Sequence, residues 1–129
     1  MSTSNQFYQT TTVELSAFDR AETTADTTTL AEAVRSTFML SMDARLSLGQ
    51  RSVLNVLGGR LRDQLRDLLG QIFDAGTAVL STANRQIREV NTELTAAKAD
   101  IDKVADTIES IGKLAASLDK LISLVGAAV

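Results

Sequence analysis

The last third of the chain carries a seven-residue repeat of aliphatic side chains. With Ile87 taken as position a, none of the thirteen a and d positions up to Val129 is polar, which is the pattern of a coiled coil. The a positions are Ile87, Leu94, Ile101, Ile108, Ala115, Ile122 and Val129, and the d positions are Val90, Ala97, Val104, Ile111, Leu118 and Val125. The repeat predicts one rod-like helix over 87–129, about 64 Å long, with Gly112 as the candidate break.

The apolar side of this predicted helix widens toward its C-terminal end. Its flanking positions are polar in the first half, whereas in the second half they include Leu114, Leu121 and Gly112. A wide apolar side indicates contact with two or more neighbours, and a lone helix exposing it to water is not stable. We therefore predict an assembly interface formed by Ile101, Val104, Ile108, Ile111, Leu114, Leu118, Leu121, Ile122 and Val125.

Two shorter amphipathic segments precede the repeat. Thr29 and Glu32 have the spacing of a capping box, which predicts the start of a first helix at that point. Its apolar stripe is Leu30, Val34, Phe38, Met42 and Leu46. A second amphipathic segment covers 60–73, and the glycine pair at 58–59 predicts a corner before it. The alternative is that this pair only kinks a longer helix.

Together these patterns predict an all-α fold, and the absence of proline from the sequence agrees with it. We expect an elongated helical hairpin or three-helix arrangement with a long C-terminal coiled-coil helix, assembled into oligomers. Residues 1–28 are rich in Ser and Thr and show no helical stripe. They are interpreted as a flexible or extended N-terminal arm, and residues 29–129 as a single helical domain.

Charge adds a preference for how the segments pair. Residues 27–88 hold eight arginines against five acidic residues, while residues 89–129 hold four lysines against seven acidic residues. Opposite signs favour antiparallel folding of the middle of the chain onto the C-terminal helix, or staggered association between copies. Exposed ion pairs contribute only about 0 to 1 kcal/mol each, so this preference is weak.

Composition restricts the chemistry that the chain can perform. It contains no histidine and no cysteine, which removes the commonest general base, the commonest metal ligands and the thiol nucleophile. Asp63 and Asp67 lie one helical turn apart, but each has an adjacent arginine and is interpreted as surface charge. We therefore predict a non-enzymatic protein with no catalytic residue, cofactor or metal.

Charge and hydropathy also bear on nucleic-acid binding and on the cellular location of the protein. A basic cluster at Arg51, Arg60, Arg62 and Arg66 is interleaved with acids in a chain of net charge −3, which argues against nucleic-acid binding. The N-terminus lacks the basic and apolar regions of a signal peptide. The apolar stretch 121–129 is too short to span a bilayer. These features predict a cytoplasmic protein, or one exported by a dedicated route.

The leading functional hypothesis is a structural protein that self-associates through the heptad positions into a homo-oligomer or filament. Two alternatives remain open. The chain could act on a membrane or granule surface as a coat or pore-forming protein, with Leu114, Leu118, Leu121, Ile122 and Val125 inserted and Lys113 and Lys120 near the headgroups. It could also be an adaptor that pairs with another helical protein. The pattern does not give the number of copies or their orientation.

Overall fold

The fold is all-α, as the sequence predicts. A computed structural model describes residues 22–74 and 77–127, with side chains to Val125. Within those ranges the chain forms four helices and no strand: α1 (Thr27–Ser41), α2 (Leu48–Leu68), α3 (Ala78–Ala99) and α4 (Val104–Ala127). A single 3₁₀ turn, Ile101–Lys103, joins α3 to α4. Most of the predicted arm, residues 1–21, lies outside the described residues.

The four helices form two antiparallel hairpins that pack side by side. α1 contacts α2 and α3, and α4 contacts α3 and α2, so the order around the bundle is α1, α2, α4, α3. Nη2 of Arg45 donates to the backbone oxygen of Lys98 at 3.1 Å, which places both hairpin turns at the same end. α2 therefore runs parallel to α4, whereas the charge distribution favoured an antiparallel pairing. At the opposite end of the bundle, the end of α2 and the start of α3 lie diagonally opposite each other.

All four helices contribute to one hydrophobic core. Leu30 of α1, Leu54 of α2, Ile87 of α3 and Leu118 of α4 are each fully buried. Burial of one such side chain is worth about 1.5 to 3 kcal/mol. The heptad positions that fall within α3 all lie on its buried side: Ile87, Val90, Leu94 and Ala97.

The predicted unbroken helix over 87–129 is wrong. α3 ends at Ala99, and Asp100 adopts an extended conformation with φ −134° and ψ 98°. The carboxylate of Asp100 accepts a hydrogen bond from the backbone N–H of Asp102 at 3.1 Å. Because this bond offers the backbone an alternative to the helical ladder, it favours a turn. The long helix is replaced by the α3–α4 hairpin, and Gly112 lies inside α4.

The predicted corner at the glycine pair is also wrong. α2 passes through Gly58 and Gly59 without interruption. A Cβ atom at Gly58 would lie 3.0 Å from Cε1 of Phe38, so the absent side chain makes room for the ring of the neighbouring helix. The real corner covers residues 42–47. Ser47 and Gln50 end it with a capping box, in which each side chain accepts a hydrogen bond from the other residue's backbone N–H.

The N-cap residue of the first helix lies three residues before the predicted one. Asp26 is the N-cap residue of α1, and its side chain accepts a hydrogen bond from the backbone N–H of Thr29 at 3.1 Å. Glu32 instead points toward α3, where its carboxylate accepts from Nδ2 of Asn91 at 3.3 Å. The start predicted from Thr29 and Glu32 is therefore corrected to Thr27.

The segment before α1, residues 22–26, forms an N-terminal strap across the start of α3. Asn84 is fully buried; its Oδ1 accepts from the backbone N–H of Asp26 at 2.8 Å, and its Nδ2 donates to the backbone oxygen of Thr24 at 3.1 Å. Arg88 forms ion pairs with Glu22 and Asp26. The side chain between these contacts, Ala25, is buried in the core. The strap therefore fastens the α1–α2 hairpin to α3.

Acid should loosen this strap. Burial raises the pKa of Asp26, but hydrogen bonds from Thr29 and Arg88 outweigh it and bring the pKa below the ordinary 3.8. The folded chain thus binds this proton less readily than the unfolded chain, so stability is full above the ordinary pKa and falls as pH drops through the folded pKa. Asp26→Asn keeps a good capping residue without the charge. We expect this variant to lose less stability than the wild type below about pH 4, measured by urea denaturation. Parallel pH profiles would contradict this role.

Candidate self-association surface

The structure divides the nine predicted interface residues into two groups. Five are buried inside the bundle: Val104, Ile111, Leu114, Leu118 and Leu121. Four are half-buried and pack at the edge of the core: Ile101, Ile108, Ile122 and Val125. Contacts of α4 with both α2 and α3 account for the widened apolar side. The chain thus supplies its own cover for the centre of the predicted interface.

This burial also affects the predicted membrane-inserting side of α4. Three of its five apolar residues, Leu114, Leu118 and Leu121, are fully buried in the bundle. They would reach a lipid surface only if the bundle opened. On α4 the buried residues occupy heptad positions d and g, except for Ala115 at position a. Ile108 and Ile122, also at position a, are half-buried and lie at the margin next to α2.

Most of the large exposed hydrophobic side chains in the described ranges lie outside the heptad region. Within the described ranges, eight large hydrophobic side chains are exposed: Met39, Met42, Leu48, Val53, Val56, Leu69, Ile72 and Leu124. Only the last belongs to the C-terminal third. The sequence analysis missed Val53 and Val56, although both fall beside the stripe of Leu54, Leu61 and Leu68 that α2 buries. Because Val53 and Val56 lie outside that buried stripe, the sequence pattern could have indicated that they are exposed.

Two of these exposed residues lie at about the same height along the bundle as a half-buried residue of the predicted interface. Nε2 of Gln64 on α2 donates to the backbone oxygen of Ala115 on α4 at 2.8 Å, which fixes the axial register of the two parallel helices. Val56 lies eight residues before Gln64 on α2, and Ile108 lies seven residues before Ala115 on α4. Both are therefore about 11 Å from that hydrogen bond along the helix axes. Val53 is one turn from Val56.

We define the α2–α4 face as Val53, Val56, Ile108 and Gly112. Val56 is 66% exposed and Val53 is 45% exposed. Gly112 lies one turn after Ile108 on the same side of α4, and a Cβ atom placed there would meet no atom within 4 Å. A second backbone could therefore approach α4 closely at this position.

An ion pair borders the α2–α4 face toward the C-terminal ends of the two helices. Nη2 of Arg60 contacts Oδ2 of Asp119 at 2.5 Å, and Nε2 of Gln64 donates to Oδ1 of the same carboxylate at 2.8 Å. These hydrogen bonds, first that from Arg60 and then that from Gln64, lower the pKa of Asp119. The carboxylate therefore stays charged at neutral pH and gives the apolar face a polar rim.

The described residues form no cluster of metal-binding side chains and no membrane-spanning helix. Within residues 22–74 and 77–127, no three metal-binding side chains come together, and Asp63 lies 3.5 Å from Arg62. No helix in those ranges has the length and apolar character needed to cross a membrane. No family model, curated protein or solved structure matches the chain.

Proposed function

We propose that this protein is a non-enzymatic helical building block that self-associates through the α2–α4 face. The observation that supports the proposal is the exposure of Val56 and Val53 on α2 at the axial level of Ile108 on the neighbouring α4, one of the residues that the heptad assigns to an interface. Apolar side chains grouped on one surface and rimmed by polar residues are typical of association sites. This proposal keeps the predicted self-association but moves it from the centre of the heptad to its margin.

The expected assembly is a dimer. One surface that packs against the same surface of a second copy closes on itself by two-fold symmetry, whereas a filament requires two different complementary surfaces. Gly112 permits close approach of the partner's α2 or α4. Removing Val53, Val56 and Ile108 from water supplies the driving force, at about 25 cal/mol for each Å² of apolar surface.

Light scattering coupled to size exclusion tests the proposal. We expect the wild-type chain to have twice the monomer mass of 13.8 kDa, and the variants Val56→Asp and Ile108→Asp to have the monomer mass with unchanged helical circular dichroism. Val56→Asp is the cleaner variant because its side chain is already largely exposed. A carboxylate on this face cannot be buried against a second copy without a large loss of hydration.

The matched control is Ile72→Asp. Ile72 is 79% exposed but lies in the connection after α2, away from the α2–α4 face. This variant should keep the dimer mass. The proposal fails if the wild type is a monomer up to millimolar concentration, or if Ile72→Asp and Val56→Asp dissociate it equally. A monomer that associates only with vesicles or with another helical protein would favour one of the two alternative hypotheses.

A further inference from the structure

A groove of about 210 Å³ lies between the start of α3 and the end of α4. It is on the side of α4 that faces α3, away from the α2–α4 face. Among the described residues its lining is Ala78, Val79, Thr82, Ser117 and Lys120. Because α3 and α4 are antiparallel, Thr82 and Ser117 lie at one end of the groove. Leu124, one turn beyond Lys120 and 37% exposed, continues the α4 wall at the other end.

Polar donors at the inner end of the groove have no protein acceptor among the described residues. The hydroxyls of Thr82 and Ser117 form no hydrogen bond with any described residue, and the ammonium group of Lys120 forms no ion pair with one. Other side chains on the same two helices are engaged: the hydroxyl of Ser110 donates to Glu93 at 2.8 Å, and Lys113 pairs with Glu109 at 3.2 Å. Two hydroxyls and one ammonium group are therefore available to an anionic ligand.

The outer end of the groove is apolar. Ala78 and Val79 line this end on α3, where Val79 packs partly against the core, and Leu124 lies one turn beyond Lys120 on α4. The volume exceeds the roughly 150 Å³ of an engineered cavity that admits benzene, so a short alkyl chain fits. A small inorganic anion would use only the donors, and a neutral alkyl chain would use only the apolar end.

We propose that this groove binds the carboxylate form of a medium-chain fatty acid. The carboxylate would accept hydrogen bonds from Thr82 and Ser117 and pair with Lys120, while the alkyl chain would lie along Ala78, Val79 and Leu124. The occupant is inferred from charge complementarity at one end and apolar lining at the other. The proposal does not depend on self-association, since it uses none of the residues of the α2–α4 face.

Titration of the ¹⁵N-labelled full chain with octanoate, followed by NMR, tests the proposal. We expect saturable amide shifts in residues 78–82 and 117–124, with little change in α1. Lys120→Gln should weaken binding by about twofold to fivefold, the loss expected for one exposed ion pair. Lys113→Gln, which alters a lysine on the same helix, is the matched control and should leave binding unchanged. Hexanoate, shorter by two methylenes, should bind more weakly by up to about fourfold per methylene.

Octanol and inorganic phosphate test the alkyl chain and the anionic group of the proposed ligand separately. Octanol carries the same chain without a charge and should bind more weakly than octanoate; inorganic phosphate should give no saturable shift in the groove. Three results would overturn the proposal: no saturation with octanoate, equal binding of octanoate and octanol, or no effect of Lys120→Gln. Ala78→Leu, which fills the outer end of the groove, should abolish octanoate binding while the spectrum remains that of a folded chain.

Discussion

Leu118→Ala should lower the free energy of unfolding by about 3 to 5 kcal/mol. Leu118 is fully buried at the centre of α4, where the helix packs against α2 and α3 together. Truncation removes three carbon atoms from the core and leaves a cavity that two neighbouring helices can close only in part. The measurement is urea denaturation followed by circular dichroism at 222 nm.

A monomeric variant shows whether the chain's own helices or a second copy cover Leu118. We would make the substitution in the Val56→Asp variant, so that association does not contribute to stability. If the chain's own hairpin covers Leu118, the full loss remains in the monomer. A loss near zero would mean instead that another copy covers the residue. Leu124→Ala, two turns further along the same helix and partly exposed, is the control and should cost about 1 kcal/mol or less.

Asn84→Ala should lower the free energy of unfolding by about 2 to 4 kcal/mol. The side-chain amide of Asn84 pairs with two backbone groups of the N-terminal strap, the N–H of Asp26 and the C=O of Thr24. Removal of the amide leaves both groups without their partner, close to the buried Ala25. Each unsatisfied group costs about 1 to 3 kcal/mol when it remains buried.

Hydrogen exchange adds a local measurement to this test. The amide proton of Asp26 should exchange much faster in Asn84→Ala than in the wild type. Asn91→Ala removes an amide of the same helix whose contact with Glu32 is long and exposed, and should change stability by about 0.5 kcal/mol or less. Equal exchange of the Asp26 amide in wild type and Asn84→Ala would show that Asn84 does not hold the strap.

The apolar repeat predicted the class of fold and the buried side of α3, because burial of one helix side directly imposes a spacing of three and four residues. It did not predict the end of α3. The turn at Asp100 depends on one carboxylate and one backbone N–H, and it leaves the apolar repeat undisturbed on both sides. The repeat in the sequence therefore continues through the turn, although the buried side shifts from positions a and d on α3 to positions d and g on α4.

Glycine was misinterpreted for a different reason. In a sequence, Gly58 and Gly59 indicate a corner because glycine is unfavourable inside a helix. In the fold, Gly58 is retained within α2 because Phe38 occupies the space of its missing side chain, and that contact lies 20 residues away in sequence. The true start of α2 was visible in the sequence as Ser47 and Gln50, which have the spacing of a capping box.

The candidate surface was predictable only in part. Ile108 follows from the heptad, but the exposure of Val53 and Val56 depends on which side of α2 the other helices cover. The order of the helices around the bundle determines which side of α2 is covered, and no local sequence pattern predicts that order. The groove beside Lys120 is similarly the product of two helix ends that lie 35 or more residues apart.

The two-hairpin layout also constrains the order of events when the chain folds. Each hairpin joins helices through a short turn, so its closure loses little chain entropy. Contacts between the hairpins, such as that of Asn84 with Asp26, span 58 residues and form at a greater entropic cost. We therefore expect the hairpins to form early and to dock late. Contacts between the two hairpins would then chiefly determine how slowly the native state unfolds, and would have little influence on the folding rate.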